Sequence, residues 1–526
     1  MLAARFSYKL AAEANVYRST RSDSAVVTPE RALLEGMAPD GGLYVPASPP
    51  RLDPKAMGTS PLSYADLSYI VLKPFFSTFE ATGLREALKA QAERFPGGRP
   101  APLVIKGGHF FLELFHGPTL AFKDLALTLM GPLLELARAK LGIRDEVVIL
   151  VATSGDTGKA ALEGLARPGR PSNGIRVLVF YPSEGVSLVQ KLQMTSHDAP
   201  GAKVIGIRGN FDDAQRGVKA IFASPEAASY LAERGMRLSS ANSINIARLL
   251  PQIVYYVSAW RDMRDLGALG PGEAMDVAVP TGNFGNILAA WYAKRMGLPI
   301  GRLICASNRN RVLTDFFHDG RYDRNRPFFK TESPSMDILV SSNLERLVFH
   351  ATGEDPARTS ALMRELAEGG RYSLTEAEEE ALSDFEAGWA GEDEAAEAMR
   401  RLFEAEGYLI DPHTAVALAV LERMREERGD SRPTLVASTA SPFKFPYSVA
   451  KAIGLAGFER SGPAASSGSA SLSADQELDI ADRLAEAVGL ELPEAIRSLR
   501  GAKELHGGIV EKGEMQAALE RELSNE

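Results

Sequence analysis

"VPTGNFGNILAAWYAKRMG" (279–297) contains the end of a predicted strand, a glycine-rich loop and the start of a predicted helix. The strand itself, "MDVAVP" (275–280), is short and largely apolar, as a buried strand usually is. Gly282 and Gly285 can adopt positive φ angles and let the backbone come close to a ligand. The N–H groups at the helix start point to the same place and carry a partial positive charge. The stretch predicts a phosphate-binding loop, with an ordinary strand-to-helix turn as the alternative.

Two other stretches repeat this strand–loop–helix pattern, "VATSGDTGKAALEGLA" (151–166) and "VASTASPFKFPYSVAKAIG" (436–454). Buried strands are predicted at 146–152, 175–181, 202–207, 275–280, 302–307 and 433–439. Strands that alternate with helices in this way predict an α/β fold with a largely parallel sheet, covered by helices on both faces. In such a sheet the loops gather at the carboxyl edge, where α/β proteins bind ligands.

The segment "GDTGK" (155–159) does not complete a P-loop nucleotide-binding motif. Thr153 stands where that motif needs glycine, and Ala160 stands where it needs serine or threonine. The loop still offers hydroxyl and N–H groups at Thr153, Ser154 and Thr157. These groups suit a carboxylate or another small anion.

The length of 526 residues predicts several domains. We divide the chain into an N-terminal domain (1–100), a central α/β region (101–460) and a linker with a helical tail (461–526). Within the central region, residues 145–235 form the smaller of two α/β subdomains. The acidic stretch at 374–406 is interpreted as solvated surface helix, and the Ser/Gly/Ala-rich segment at 461–475 as the linker.

Composition and charge exclude several classes of protein. A net charge of −9 without a basic run argues against nucleic-acid binding. The single cysteine, Cys305, cannot form an internal disulfide, so we expect a reducing compartment, the cytoplasm. Because no secretory signal and no 18-residue apolar run are present, no membrane association is predicted. The seven histidines lack metal-binding spacing, so no metal site is predicted, and His116 and His413 are interpreted as structural.

Lys123 stands among apolar residues in "HGPTLAFKDLAL" (116–127). An ammonium group that loses hydration has a lowered pKa, and the free amine can form a Schiff base with an aldehyde. The alternative is a surface lysine whose stem covers apolar neighbours. A lysine in an apolar turn, a glycine-rich anion loop and a hydroxyl-bearing strand end are together the parts needed to hold pyridoxal 5′-phosphate.

Over about residues 16–458 the chain resembles the threonine synthases of the branch with a long N-terminal domain, found in many bacteria and in fungi. The matching segments, in order, are "YRSTR" (17–21), "DGGLYVP" (40–46), "LELFHGPTLAFKDLAL" (112–127), "ATSGDTG" (152–158), "SSANSINIARLLPQIVYY" (239–256), "PTGNFGN" (280–286), "FFHDG" (316–320), "PSMDI" (334–338) and "ASTASPFKFP" (437–446). The ordered set is far more specific than any one motif.

The resemblance implies a type II pyridoxal-phosphate fold, with mostly parallel sheets in two α/β domains and a smaller N-terminal domain. It implies that Lys123 forms the Schiff base with the cofactor. The residues implied to hold the cofactor phosphate are Gly282, Asn283, Phe284, Gly285 and Asn286. Thr439, with Ser438 beside it, would hydrogen-bond the ring nitrogen of the cofactor.

The family converts O-phospho-L-homoserine and water to L-threonine and phosphate. The resemblance also favours a monomeric protein. The loop of Ser154, Gly155, Asp156 and Thr157 would face the substrate carboxylate. For the substrate phosphate, the family motif implies Asn242, Ser243 and Arg248. Ser187 and Lys191 in "SLVQK" are further candidates for the same role.

Position 441 is serine, where many relatives have histidine. The sequence therefore does not decide whether water adds to the intermediate after phosphate has been eliminated. One alternative is a related phospho-lyase that yields 2-oxobutyrate. Another is a non-catalytic homologue that acts as a regulatory or interaction protein, against which the intact Lys123, "GNFGN" and "SGDTG" argue. Residues 1–15 precede the usual start of the family and are interpreted as an extension or as the result of a misassigned start.

Overall fold

A computed structural model describes residues 15–23, 26–53, 62–166, 174–184, 186–455 and 473–524. Residues 1–14 of the predicted extension and 461–472 of the predicted linker lie outside the described residues. In the described part of the chain, no helix combines the length and the apolar character that spanning a bilayer requires.

The N-terminal part contains a small antiparallel sheet and helices packed on the rest of the protein. Its elements are β1 (Tyr17–Ser19), β2 (Val26–Val27), α1 (Pro29–Glu35), β3 (Tyr44–Pro46), α2 (Tyr64–Leu72) and α3 (Ala81–Ala92). The sheet has the order β2–β1–β3. The side chain of Asn245 donates to the Leu33 carbonyl at 3.0 Å, and that of Arg346 donates to the Tyr44 carbonyl at 2.9 Å. This part is therefore anchored to segments close to the predicted substrate-binding motif.

Two larger sheets organise the remaining described residues. The elements of the first half are β4 (Leu103–Lys106), β5 (His109–Glu113), α4 (Lys123–Leu141), β6 (Glu146–Ala152), α5 (Asp156–Leu165), β7 (Ile175–Pro182), α6 (Leu188–Thr195), β8 (Ala202–Arg208), α7 (Phe211–Ala223), α8 (Pro225–Ala232), β9 (Met236–Ser240) and α9 (Ile246–Asp265). Those of the second half are β10 (Met275–Pro280), α10 (Gly285–Arg295), β11 (Ile300–Ser307), α11 (Val312–Asp319), β12 (Arg321–Asp323), α12 (Leu344–Ala351), α13 (Pro356–Gly369), β13 (Arg371–Ser373), α14 (Glu376–Glu380), β14 (Phe385–Trp389), α15 (Glu392–Glu406), α16 (Pro412–Arg428), β15 (Thr434–Ser438), α17 (Pro446–Ala452), α18 (Ala474–Val488), α19 (Glu494–Arg497), β16 (Ile509–Glu511) and α20 (Met515–Ser524).

The larger sheet has the order β14–β11–β10–β15–β5–β4, and the smaller sheet has the order β16–β8–β7–β6–β9. All pairs are parallel except β4 with β5. The side chains of β6 alternate between two hydrophobic cores. Val147 and Ile149 are buried in the core on one face of the sheet, and Val148 and Leu150 are buried in the core on the other face. A strand buried on both faces explains the continuous apolar run seen in the sequence.

All six strands predicted from apolar runs are present, and the α/β prediction is confirmed. The interpretation of 374–406 as surface helix alone was wrong, because β14 lies inside it and pairs with β11. The buried side chains of Phe385 and Ala387 account for this strand, which acidic helices, the short α14 and the longer α15, flank on both sides. The tail is not purely helical either, since β16 extends the smaller sheet beside β8.

Candidate active site

Lys123 is the first residue of α4 and lies beside the end of β15. The Phe122 N–H donates to the Thr439 carbonyl at 2.9 Å, and the Ser441 N–H donates to the Leu120 carbonyl at 3.0 Å. Leu120 has a φ of 60°, which turns the chain just before the helix. These backbone contacts bring the lysine next to Thr439, and both side chains line one cavity between the two sheets.

Asp124, directly after the lysine, closes the Gly-Pro turn that precedes it. Its carboxylate accepts hydrogen bonds from the Thr119 N–H at 2.8 Å and from the Thr119 hydroxyl at 2.6 Å. Burial raises the pKa of Asp124 to about 6, although these hydrogen bonds oppose the shift. Gly117 is required here, because a Cβ would lie 2.5 Å from Asp124 Oδ2. The aspartate therefore stabilises the turn, while the lysine faces the cavity.

The Lys123 ammonium is buried and has one carboxylate in reach. Its Nζ lies 3.4 Å from Asp156 Oδ2 and 3.3 Å from Ser335 Oγ. Burial lowers the pKa of Lys123, Asp156 opposes this shift, and the positive charges of Arg248 and Lys444 add to it. The site therefore favours the free amine more than an exposed lysine would, as nucleophilic and general-base chemistry requires.

The loop between β10 and α10 has a different geometry from the one that its glycines predicted. Neither Gly282 nor Gly285 has a positive φ; Phe284, between them, has a φ of 63°. Gly282 is required for space, because a Cβ at this position would lie 2.3 Å from the Ser335 carbonyl oxygen. The buried Phe284 ring stacks against Phe317, which holds the unusual backbone angle in place.

Gly282→Ala is expected to weaken cofactor binding by about tenfold, because the new methyl group must displace a backbone carbonyl beside the loop. Fluorescence titration of the cofactor-free protein measures the dissociation constant. Gly369→Ala is the matched control, since a Cβ there meets nothing within 4 Å. Equal affinities for the two variants would contradict the requirement for close approach at Gly282.

The start of α10 is suited to an anion. The first turn has no acidic residue, and no side chain caps it. The side-chain oxygen Oδ1 of Asn286 accepts a hydrogen bond from the Tyr256 hydroxyl, while Asn286 Nδ2 is buried without a hydrogen-bond partner among the described residues. Free backbone N–H groups and an unpaired amide together can bind a phosphate group.

Of the two hydroxyls predicted at the end of β15, only one reaches the cavity. Thr439 lines it, whereas Ser438 belongs to the strand and its buried side chain lies near Tyr408. Successive side chains of an extended chain point to opposite faces, so only one of the pair can face the cavity. Thr439 is therefore the hydroxyl available to a ligand.

In the loop after β6, too, only some of the predicted side chains face the cavity. Ser154 and Thr157 line the cavity, whereas the Asp156 carboxylate is directed into the protein. Asp156 Oδ1 accepts from Gln190 Nε2 at 2.7 Å and lies 2.7 Å from Lys444 Nζ. Gly155 has a φ of 139°, and a Cβ there would lie 2.5 Å from the Gln190 amide. An ionised, paired Asp156 cannot itself hold a substrate carboxylate, so the neighbouring hydroxyls and N–H groups are the ones suited to it.

Arg248 is a buried cation that lines the same cavity, with its sequence neighbours Asn242 and Ser243. Its Nη1 donates to the Ala241 carbonyl at 2.6 Å, and its Nε has no hydrogen-bond partner among the described residues. Burial lowers the pKa of Arg248 to about 10. No carboxylate pairs with it in the part of the chain that the structure describes. Asn242 is held by the Ala152 backbone, to whose carbonyl it donates at 2.8 Å.

The structure does not bring Ser187 and Lys191 into this cavity. The Ser187 hydroxyl caps its own helix, α6, by accepting from the Gln190 N–H at 3.2 Å. Lys191 Nζ lies 3.7 Å from Glu504 in the tail. Ser187 therefore serves its own helix, and Lys191 pairs with the tail.

Three residues at the site were not predicted from the sequence. His413 and Ser335 line the cavity, and His413 Nε2 accepts from the Ser335 N–H at 3.1 Å. His413 Nδ1 lies 2.7 Å from Asp411 Oδ1, which fixes the orientation of the ring. Lys444 is fully buried behind Asp156. His413 and Lys444 are polar side chains beside apolar residues, which is the signal that the sequence offered, whereas Ser335 lies in the polar stretch "TESPS" (331–335) and offered none.

The residues of the cavity fit pyridoxal phosphate. The Lys123 amine can take its aldehyde, and the start of α10 with the unpaired Asn286 amide can take its phosphate. The Thr439 hydroxyl is available to its ring nitrogen. A buried amide such as Asn286 Nδ2 normally has a hydrogen-bond partner, and a bound phosphate would supply the one that is missing here.

Comparisons with known proteins agree with this fit. The family described as "Pyridoxal-phosphate dependent enzyme" matches residues 105–440, "Threonine synthase N terminus" matches 16–91, and "Threonine synthase, C-terminal" matches 414–477. Threonine synthase of Pseudomonas aeruginosa is 40% identical over 440 residues, which cover 83% of this chain and 90% of that protein. Threonine synthase-like 1 of Homo sapiens is 40% identical over 435 residues, or 80% of this chain, and the aligned part spans 57% of that longer relative.

A crystal structure described as PLP-bound threonine synthase from Brucella melitensis superposes on the chain with a TM-score of 0.80 and 36% identity. It covers 97% of this chain and 99% of the crystallised one. The prediction of a type II pyridoxal-phosphate fold is thereby confirmed. Because the family matches lie along most of the described chain and the Pseudomonas relative covers 83% of it, the chain belongs to the threonine synthase family of pyridoxal-phosphate-dependent enzymes.

Proposed function

We propose that the protein is a threonine synthase, a lyase that converts O-phospho-L-homoserine and water to L-threonine and inorganic phosphate in amino-acid biosynthesis. One observation carries the proposal: a single cavity joins a buried amine to two separate anion sites. The start of α10 suits the cofactor phosphate, and the buried Arg248 suits the substrate phosphate. A pyridoxal-phosphate enzyme for an unphosphorylated amino acid needs a site for the cofactor phosphate and one for the substrate carboxylate, and Arg248 is a buried cation beyond these two.

Arg248 would bind the phosphate ester through charge-assisted hydrogen bonds, with Ser243 beside it. The Ser154 and Thr157 hydroxyls and the N–H groups of their loop would take the substrate carboxylate. With both ends of the substrate bound, its Cα and Cβ lie between these sites and within reach of the lysine. The buried cavity also limits the access of water before the phosphate has left.

When bound, pyridoxal phosphate would supply a ring that stabilises negative charge at the substrate Cα. Lys123 Nζ, freed by the substrate amine, accepts the proton from Cα and then assists proton removal from Cβ. Phosphate leaves from Cγ, the proton taken from Cβ is returned at Cγ to complete the methyl group, and water then adds its hydroxyl at Cβ while its proton goes to the released phosphate. Lys123 returns a proton at Cα, so that the sum is one water consumed and one phosphate released.

The direct test is product analysis after incubation with O-phospho-L-homoserine in ¹⁸O-labelled water. We expect L-threonine with the label in its hydroxyl group and one phosphate for each threonine. Formation of 2-oxobutyrate and ammonia in place of threonine would contradict water addition. The product also tests whether the enzyme can add water with serine at position 441, where many relatives have histidine. The Ser441 hydroxyl caps the turn at 442–444 by accepting a hydrogen bond from the Phe443 N–H.

Thr439→Ala is expected to retain the covalent link between Lys123 and the cofactor and to lower kcat by about tenfold, the value of one hydrogen bond. The Phe122 N–H binds the Thr439 carbonyl, so the change leaves the backbone contact intact. Steady-state kinetics and the absorbance of the bound cofactor measure the two effects. Thr439→Ser keeps the hydroxyl and is expected to retain activity; equal kcat for the alanine variant and the unmodified protein would remove this role.

We further propose that the enzyme is a monomer in the cytoplasm. Its domains would be the N-terminal domain (1–100), the central α/β region (101–460) and the linker with its tail (461–526). A buried, unpaired Cys305 supports a reducing compartment. Sedimentation of the purified protein would test the oligomeric state.

A further inference from the structure

Lys444 is an ammonium group buried behind the active site. It belongs to the short 3₁₀ helix at 442–444, and its side chain is completely inaccessible to solvent. Its Nζ lies 2.7 Å from Asp156 Oδ1 and donates to the Thr119 carbonyl at 2.8 Å. It therefore contacts both the loop after β6 and the turn that precedes Lys123.

Asp156 separates the two lysines. Its Oδ1 is bound by Lys444 and by the Gln190 amide, each at 2.7 Å. Its Oδ2 faces Lys123 Nζ at 3.4 Å and Ser335 Oγ at 3.2 Å. The carboxylate is thus held firmly from one side and contacts the catalytic amine only loosely on the other.

The other charged groups around Lys123 are few in the described structure. Asp156 from α5, Arg248 from α9 and Lys444 from the 3₁₀ helix act on it directly. His413 from α16 acts on Asp156. Asp124, on the same helix as Lys123, is bound by Thr119, and Asp337, which also lines the cavity, is bound by Thr331 and Asn308. Asp156 is therefore the carboxylate that can keep Lys123 protonated, and Lys444 is the cation that competes for it.

We propose that Lys444 is a positioning residue that holds Asp156 away from Lys123 and neutralises its charge, so that the lysine amine is free to leave the carboxylate and to exchange protons. The inference rests on the proposed role of Lys123 and goes beyond it, because Lys444 need not touch substrate or cofactor. Without the positive charge of Lys444, Asp156 would pair with Lys123 and hold it as an ammonium ion.

A purely structural role for Lys444 makes a different prediction. A buried ion pair can often be replaced by an apolar side chain of similar volume without loss of stability, so stability alone does not explain the lysine. A structural role would alter the melting temperature and leave the titration of the active-site amine unchanged. The test therefore needs a readout that follows this titration.

The experiment compares Lys444→Met, Lys444→Arg and Asp156→Asn with the unmodified holoenzyme. The readout is the pH midpoint of the absorbance change of the cofactor linked to Lys123, together with the pH profile of kcat. In cofactor-free protein, the pH dependence of acetylation at Lys123, followed by mass spectrometry, reports on the same amine. Lys451→Met, on the neighbouring helix α17, is the control.

We expect Lys444→Met to raise the midpoint by about one pH unit and Asp156→Asn to lower it by about one unit. Lys444→Arg, which keeps the charge, should titrate close to the unmodified protein, as should Lys451→Met. Unmoved midpoints in Lys444→Met, or in Asp156→Asn if the first variant does not fold, would overturn the inference. A protein that forms no link between the cofactor and Lys123 would instead contradict the proposed function.

Discussion

A Lys123→Ala variant is expected to lose about 10⁴-fold in kcat and to lose the covalent chromophore of the bound cofactor. The loss is large because the same amine would fix the cofactor and move protons at the substrate, and proton transfer alone contributes about 10²–10⁴-fold. The measurements are threonine formation from O-phospho-L-homoserine and the absorbance of the purified protein. Borohydride reduction followed by peptide mass mapping of the unmodified protein locates the link.

The fold should survive this change. Lys123 is buried, so removal of its ammonium relieves a desolvation cost, and Asp156 keeps its contacts with Lys444 and Gln190. The melting temperature should therefore stay near that of the unmodified protein. Lys140→Ala, at the other end of the same helix, is the matched control and should retain full activity. A reduced cofactor found on another residue, or on none, would contradict the role of Lys123.

The fold could be predicted from the sequence because its strands are local features. A run such as that of β6 is apolar throughout, since both of its faces are buried, and its length limits it to a strand. In the two larger sheets, the strands that were not predicted are β4, β5, β9, β14 and β16. Of these, β14 and β16 pair with strands that are distant in sequence and have charged neighbours. Tertiary pairing stabilises such short segments, so their own composition does not reveal them.

The site could be predicted in part. Lys123, Thr439 and Arg248 line one cavity, as the resemblance implied, whereas Ser187 and Lys191 do not reach it. Contacts with distant segments determine which of the predicted side chains reach the cavity. Lys191, for example, pairs with Glu504 in the tail. The requirement for glycine at position 282 has the same origin.

That glycine was predicted for its backbone freedom and is required for the space that the Ser335 carbonyl occupies. Ser335 comes from a segment more than fifty residues away along the chain. A local motif indicates that a glycine is needed, and only the tertiary structure explains why.

Arg248→Ala is expected to raise KM for O-phospho-L-homoserine by about thirty-fold, equivalent to about 2 kcal/mol for a lost charge-assisted hydrogen bond. Arg248 is buried without a carboxylate partner in the described residues, so an incoming phosphate would meet an uncompensated cation. Competitive inhibition by inorganic phosphate should weaken by a similar factor. Removal of an unpaired buried charge should not lower the melting temperature.

The variant also separates the two anion sites. The cofactor phosphate is assigned to the start of α10, so the affinity for pyridoxal phosphate should change less than threefold while KM rises. Arg264→Ala is the control, because Arg264 lies on the same helix, α9, and pairs with Asp265 near the surface. If instead cofactor affinity falls and KM is unchanged, Arg248 binds the cofactor phosphate, and its assignment to the phosphate of the substrate is wrong.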